Sequence, residues 1–310
     1  EVMKAIMKNR ILAAALAALV FSGTAGAQSL GFLNINSDPS VVGMGVVSAP
    51  GAFSAENNIA AVALSQKYFG LGFGYELWQP STIGNHIIDL GAYGCIAKRV
   101  GIAINAKFKN SPEFAGTNNK GGFAGNYSPK ENYIATGVSV KVYDGISIGA
   151  KYKFVSSDLW EKTKANAHAF DVSAMYIHKD IRAGLSVENL GGKVSYGNDN
   201  EYALPSLVKA GAWYKFLNLE KHGLGTSLEA AYMFAGDVMA DVALVYNFTS
   251  LEVRGGYHFG YGPNAIASYA SVGVGYEIKG FGLNLKYLFG SKTLANTMLI
   301  GVSYNFQKRK

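Results

Sequence analysis

The sequence predicts an all-β fold, a transmembrane antiparallel β-barrel of about 14 strands with an N-terminal plug-like segment. Three observations carry that expectation. Stretches with apolar residues at every second position recur along residues 67–306, each of roughly ten residues, the length of a barrel strand. The connections between them alternate short and long, and nearly all the strand charge falls on the face opposite the apolar one.

The closing stretch NTMLIGVSYNF shows the pattern at its clearest. Met298, Ile300, Val302, Tyr304 and Phe306 share one side of an extended chain, while Thr297, Gly301, Ser303 and Asn305 share the other, and only Leu299 breaks the alternation. A soluble sandwich would turn the apolar side inward to a core; a membrane barrel turns it outward to lipid.

The elements follow in order. A basic head (Lys4, Lys8, Arg10), an apolar run from Ile11 to Phe21 and the small-residue pattern Ala25-Gly26-Ala27 predict a signal peptide over 1–27. The run is short of the ~20 residues a membrane helix needs. Residues 28–66 are too mixed to cross lipid and are expected to form a plug or hatch segment in or under the barrel. Gly43 and Gly45 would let its backbone turn tightly, and Asn58 precedes its last apolar run.

Strands are expected near 67–77, 86–96, 99–108, 132–143, 145–155, 166–177, 180–189, 206–216, 224–234, 238–248, 250–260, 267–278, 281–289 and 296–306, followed by a basic tail at 307–310. Short connections fall at Ala97-Lys98, Asp144-Gly145, Lys179-Asp180, Thr249-Ser250 and Lys279-Gly280. Longer ones occupy 78–85, 109–131, 156–165, 190–205, 261–266 and 290–295. Two links depart from the alternation: 217–223 is long for its rim and 235–237 is short. A sandwich has no reason to sort its loops by parity.

The two faces differ in kind. With Leu71, Ile102, Ile148, Leu244 and Val302 outward, the alternate positions include Lys151, Lys153, Asp171, Arg182, Glu188, Asp241, Arg254 and Glu277. Both signs occur, so the interior is either an ion-pair network or a wet passage. Tyr75, Tyr93, Tyr152, Tyr176, Tyr246 and Tyr287 lie toward strand ends, where an aromatic girdle meets the membrane interface.

Composition narrows the function classes. The 38 Gly, 19 Tyr and 17 Phe suit curved strands with interfacial rings, and the single Cys95 leaves no intramolecular disulfide. The formal charge of +7 falls to +5 without residues 1–27, with basic residues scattered rather than clustered, which argues against nucleic acid. Gly70-Leu71-Gly72-Phe73-Gly74 lacks nucleotide-loop spacing and reads as the inner face of a curved strand. The five histidines show no metal-ligand spacing and read as rim or loop residues; no Gly-x-Ser-x-Gly elbow occurs. No catalytic residue, metal or cofactor is expected.

Residues 183–216 join two strands through Asn189-Leu190-Gly191-Gly192 and Leu204-Pro205, where the glycines are expected to form a turn and Pro205 a corner. These residues with Gly211, the entry DPSVVGMGVVSA at 38–49 and VRGGYHFGYG at 253–262 resemble the PorV/PorQ-like outer-membrane proteins of Bacteroidota, relatives of the FadL-type barrels. Where that family shows an Asn-Pro-Ala box, this chain has Asn58-Ile59-Ala60. The resemblance implies a non-enzymatic fourteen-stranded barrel of type IX secretion that binds a large translocon channel, secreted cargo or both. Its contact regions would be 109–131, 156–165 and 190–205, with Phe114, Phe123 and Tyr127 as a candidate partner loop. The alternative is a FadL-like outer-membrane transporter in which the N-terminal segment gates a lumen for a hydrophobic small molecule.

Overall fold

The computed structural model describes residues 28–41, 45–118, 120–160, 163–197 and 200–306. The signal-peptide expectation for 1–27, Gly43 and the basic tail at 307–310 lie outside them.

Fourteen long strands close into one antiparallel barrel. They begin with β1 (Phe69–Trp78), β2 (Asn85–Ile96) and β3 (Val100–Asn110). A small hairpin of β4 (Phe114–Thr117) and β5 (Phe123–Tyr127) stands apart from the wall. The wall resumes with β6 (Lys130–Tyr143), β7 (Ile146–Trp160), β8 (Thr163–His178) and β9 (Ile181–Gly191). A second small pair, β10 (Val194–Ser195) and β11 (Glu201–Tyr202), precedes β12 (Leu207–Asn218), β13 (His222–Met233) and β14 (Val238–Phe248). The last strands are β15 (Leu251–Tyr261), β16 (Tyr269–Ile278), β17 (Phe281–Phe289) and β18 (Met298–Phe306). Closure comes from β1 against β18, from Phe69 opposite Phe306 to Leu77 opposite Met298, so no edge is left to pair with another chain.

The expected alternation orders the faces. Ile104, Ile148 and Val302 are about half exposed on the outside, whereas Asp89, Lys107 and Arg254 are buried inside. Such a continuous apolar exterior is incompatible with water and fits hydrocarbon. Among the described residues no helix is long and apolar enough to cross a membrane. Leu299, the misfit of the last strand, points inward and is buried.

Several boundaries differ from the sequence reading. β12 and β13 extend to Asn218 and back from His222, so the supposed long link at 217–223 is a tight turn closed by the Leu219 N–H donating to the His222 carbonyl at 2.8 Å. β7 and β8 run on to Trp160 and from Thr163, so most of the expected loop 156–165 is strand. The expected loops 109–131 and 190–205 contain the small hairpins. Tyr93, expected in the girdle, faces the lumen and is buried, its hydroxyl donating to Asn305 Oδ1 at 3.1 Å. Its parity with Asp89, Gly91 and Cys95 carried that information. Outward rings instead pair with histidines: Tyr75 with His86 and Tyr152 with His168, both at 2.6 Å, and Tyr246 with His222 at 2.7 Å. His258 departs from the rim expectation; it is buried inside, 2.8 Å from Asp241.

Candidate functional site in the barrel lumen

The N-terminal segment occupies the lumen. It starts at the long-loop rim, where the Ser29 N–H donates to the Ala203 carbonyl at 3.1 Å, and ends at the short-turn rim, where Lys67 pairs with Glu277 at 2.8 Å. Between these points the described residues form only short helical pieces, Gly31–Asn34, Gly45–Val47, Ser54–Asn57 and Ile59–Leu64. A segment so irregular leaves most backbone groups without internal partners, and the wall has to supply them.

Near the long-loop rim the contact is apolar. Leu30, Phe32, Leu33 and Ile35 pack with Trp78, Ile87, Tyr133, Val155, Leu288 and Leu294 in one buried cluster. Leu30 holds a left-handed backbone (φ 60°, ψ 37°), a conformation that a branched side chain enters only under constraint.

Deeper in, the inward charges take over. Lys107 Nζ donates to the Ile35 carbonyl at 2.5 Å and pairs with Glu56, while Lys151 Nζ donates to the Ala55 carbonyl at 2.5 Å. Arg254 donates to the Ser40 carbonyl and to Asn284 Oδ1, the latter at 2.6 Å. Glu229 accepts from the Val46 N–H at 2.6 Å. Asn58 caps the last turn, accepting from the Ala60 N–H at 3.0 Å, and donates to the Val46 carbonyl at 2.8 Å. The charged wall is therefore a dock for backbone, a use the choice between ion pairs and a wet passage did not anticipate.

Glycines make room for that backbone. An added Cβ at Gly184 would lie 2.1 Å from the Val46 oxygen, at Gly91 2.3 Å from the Ala52 oxygen, and at Gly301 2.4 Å from Pro39 Cγ. Sequence reading credited such glycines to strand curvature; their inward parity was visible, but the partner they receive was not. Of Gly43 and Gly45, Gly45 lies among the described residues, with Asn36 and the Glu229 carboxylate against it.

The remaining predicted positions separate into groups. Asp171 pairs with Lys151 at 2.8 Å and Lys153 at 2.9 Å; Glu188 pairs with Lys209 at 3.1 Å. Asp241 meets His258, Arg182 stacks on Trp213, and Glu277 sits exposed at the rim with Lys67. The expected glycine turn at 189–192 is instead a bulge, where the register between β8 and β9 shifts after Phe170. Asn189, not glycine, takes the left-handed backbone (φ 58°). Its N–H donates to Asp171 Oδ1 at 2.8 Å, and its side chain accepts from Lys153 at 2.6 Å and donates to the Pro205 carbonyl at 3.1 Å. Gly191 passes close to the His168 carbonyl and Leu204, Gly192 faces open space, and Pro205 precedes β12 as expected. In the loop expected to meet a partner, the tilted rings of Phe114 and Tyr127 lie 5.7 Å apart and Tyr127 meets Trp160 at 4.3 Å, leaving Phe123 70% exposed.

Below the docked segment, at the short-turn rim, lies a cavity of about 580 Å³ bounded by Phe53, Arg182, Trp213, Lys215, Glu252 and Glu277. Among the described residues no His, Cys, Asp or Glu side chains gather in a group of three able to hold a metal.

No known protein family matches the sequence, and no curated protein does. Solved structures do. The Pseudomonas putida toluene transporter TodX superposes with a TM-score of 0.60 at 12% identity, over 92% of this chain and 100% of that one. The CymD monoaromatic hydrocarbon channel gives 0.60 at 12% identity, over 86% and 96%. The Ralstonia pickettii toluene transporter TbuX gives 0.56 at 11% identity, over 86% and 97%. At these identities the likeness establishes a shared fold: this chain is built on the same barrel plan as these hydrocarbon transporters.

Proposed function

We propose that the protein is an outer-membrane transporter of the FadL type, passing a small hydrophobic molecule inward, with residues 28–66 as the plug that must yield. The observation that carries this reading is the apolar chamber at the long-loop rim, filled by Leu30, Phe32, Leu33 and Ile35 of the segment itself. A hydrophobic solute arriving from the long-loop side meets a site of matching chemistry occupied by a displaceable stand-in. The likeness to toluene transporters supports the same choice. No step requires bond chemistry, in keeping with a non-enzymatic passage.

Uptake of labelled toluene by a Gram-negative host whose outer leaflet resists hydrocarbons tests the proposal. Expression of the protein should raise uptake, and the substitution Phe32→Trp, which overfills the chamber, should reduce the gain. Uptake equal to that of cells without the protein would overturn it. The structural likenesses lend no support to the type IX reading, whose candidate contact Phe123 is exposed on a hairpin apart from the wall. Crosslinking in native membranes that captures a large channel barrel through 109–131 or 190–205 would favour it.

A further inference from the structure

The outer face of the wall changes chemistry in one sector. β7 and β8, at 15 and 16 residues, run past the end of β9, whose Gly191 pairs with Ala169, and so project beyond that neighbour at the long-loop rim. In outer-membrane barrels the long loops face the exterior. Followed toward that rim, the outward residues of β6, β7 and β8 leave hydrocarbon in the same order. Ile134, Phe154 and His168 stand in register, with the Tyr152 hydroxyl 2.6 Å from His168. Asn132, Ser156 and Asn166 form the next row, and Lys130, Asp158 and Lys164 the last. Lys164 pairs with Asp158 at 2.9 Å, and Lys130 stands exposed on the other side of the same carboxylate.

The strip is local. On the far side of the barrel the outward face stays apolar up to the same rim, with Val238 on β14, Phe259 on β15, Phe289 on β17 and Met298 on β18 all exposed. Leaving the membrane therefore does not by itself call for rows of amides and cations in this fold. Trp160 marks the upper end of the strip. Tyr127 meets it at 4.3 Å, and an added Cβ at Gly116 would fall 1.8 Å from its Cη2, so the β4–β5 hairpin rests on the end of β7.

We infer that this strip binds the phosphorylated saccharide headgroup of an outer-leaflet glycolipid. Such a lipid presents acyl chains, then sugar hydroxyls, then phosphate; the strip presents aliphatic and aromatic side chains, then amides and a hydroxyl, then lysines. Asn132 and Asn166 can both donate to and accept from sugar hydroxyls, and the lysines give charge-assisted bonds to phosphate. Lys130 and Lys164 outnumber Asp158, so the last row carries a net positive charge toward an anion. A diacyl phospholipid brings a phosphate but no sugar for the amide row, which favours the glycolipid as occupant. The strip lies on the outside of the barrel and goes beyond the transport reading, needing only that the barrel sits in an outer membrane.

Native mass spectrometry of the full chain in detergent tests it without any transport step, titrating diphosphorylated lipid A, its dephosphorylated form and a phosphatidylglycerol as separate probes. Lipid A should bind saturably and at least about tenfold more tightly than either of the others. The double variant Lys130→Gln with Lys164→Gln should lose at least about tenfold for lipid A, and the parent's affinity should fall as salt is raised. Asn132→Ala with Asn166→Ala should weaken lipid A and its dephosphorylated form alike, since those side chains face the sugar. Lys292→Gln removes the same charge from the exposed β17–β18 loop on the far side and should bind as the parent does. Phosphatidylglycerol bound as tightly as lipid A, an equal loss in Lys292→Gln, or unchanged lipid A affinity in either double variant that passes the heat-modifiable gel test for a folded barrel would overturn the inference. Toluene uptake that fails while lipid A binding persists would refute the transport reading alone.

Discussion

Substituting Gly184→Ala should release the N-terminal segment while leaving the barrel intact. The new methyl would stand 2.1 Å from the Val46 oxygen and 2.9 Å from its carbonyl carbon. Ordinary contact near 3.5 Å requires the Val46 carbonyl to retreat by roughly 1.4 Å. That retreat strains two bonds at once, Asn58 Nδ2 to the Val46 carbonyl at 2.8 Å and the Val46 N–H to Glu229 at 2.6 Å. Overpacking costs about 1–3 kcal/mol, and loss of the charge-assisted bond adds about 1.5–3 kcal/mol, so docking should weaken by roughly 3–5 kcal/mol. Amides of residues 45–60 should then exchange hydrogen at least about a hundredfold faster, at 1.4 kcal/mol per factor of ten. Strand amides in β14 to β17 should be unaffected. Gly255→Ala is the control, a strand glycine with nothing within 4 Å of an added Cβ. Hydrogen exchange read by mass spectrometry gives the answer segment by segment. Unchanged exchange over 45–60 in a folded Gly184→Ala protein would refute the claim that the glycines are cut to receive this segment.

Asn189→Ala should lower barrel stability by about 2–4 kcal/mol in urea unfolding, since it removes a left-handed residue's preferred type and three side-chain hydrogen bonds, two of them buried. Asn189→Gly should recover only the backbone share of that loss. Glu76 is buried with both carboxylate oxygens unpartnered, so Glu76→Gln should leave thermal stability unchanged or raised, whereas Lys107→Gln, which abandons Glu56 and the Ile35 carbonyl, should cost about 3 kcal/mol. Lys67→Gln breaks a half-exposed pair and should shift stability by less than about 1 kcal/mol.

Most of the fold was legible because a barrel wall is a period-two object. Phe73, Ile104 and Leu285 announce one solvent and Asp89, Lys107 and Lys286 the other, so strand number, order and facing follow without any long-range information. Tyr93 was misplaced because a ring near a strand end matches the girdle in type, while its parity assigns it to the lumen. Asn189 escaped for a different reason: bulge geometry depends on the neighbouring strand, and Gly191 and Gly192 offered a more familiar explanation for a turn. The pairing of Arg182 with Trp213 is a property of register, thirty-one positions apart along the chain and adjacent only once β9 meets β12.

The docking chemistry explains how a lumen can be filled and yet yield. A plug held by apolar packing along its whole length would be released only by exposing that surface to water, at ~25 cal/mol per Å². Here the largest apolar cluster is that of Leu30, Phe32, Leu33 and Ile35, and smaller ones set Val41, Val46 and Val47 against Trp213, Ala243 and Val245, and Ala55, Ile59 and Val62 against Tyr93 and Ala103. From Ser40 to Ala60 the small apolar clusters are joined by hydrogen bonds between backbone groups and the wall residues Arg254, Glu229, Lys151 and Ser147. Each such bond is replaceable by water entering from the cavity at the short-turn rim, so its net worth is about 1 kcal/mol, or up to about 3 where a charge is involved, rather than its gross strength. On the transport reading, a hydrophobic solute taking over the chamber would replace the largest apolar contact, and hydration would replace the polar ones. The left-handed Leu30 lies where the apolar grip begins, and release of its backbone strain of order 1–3 kcal/mol favours the same direction.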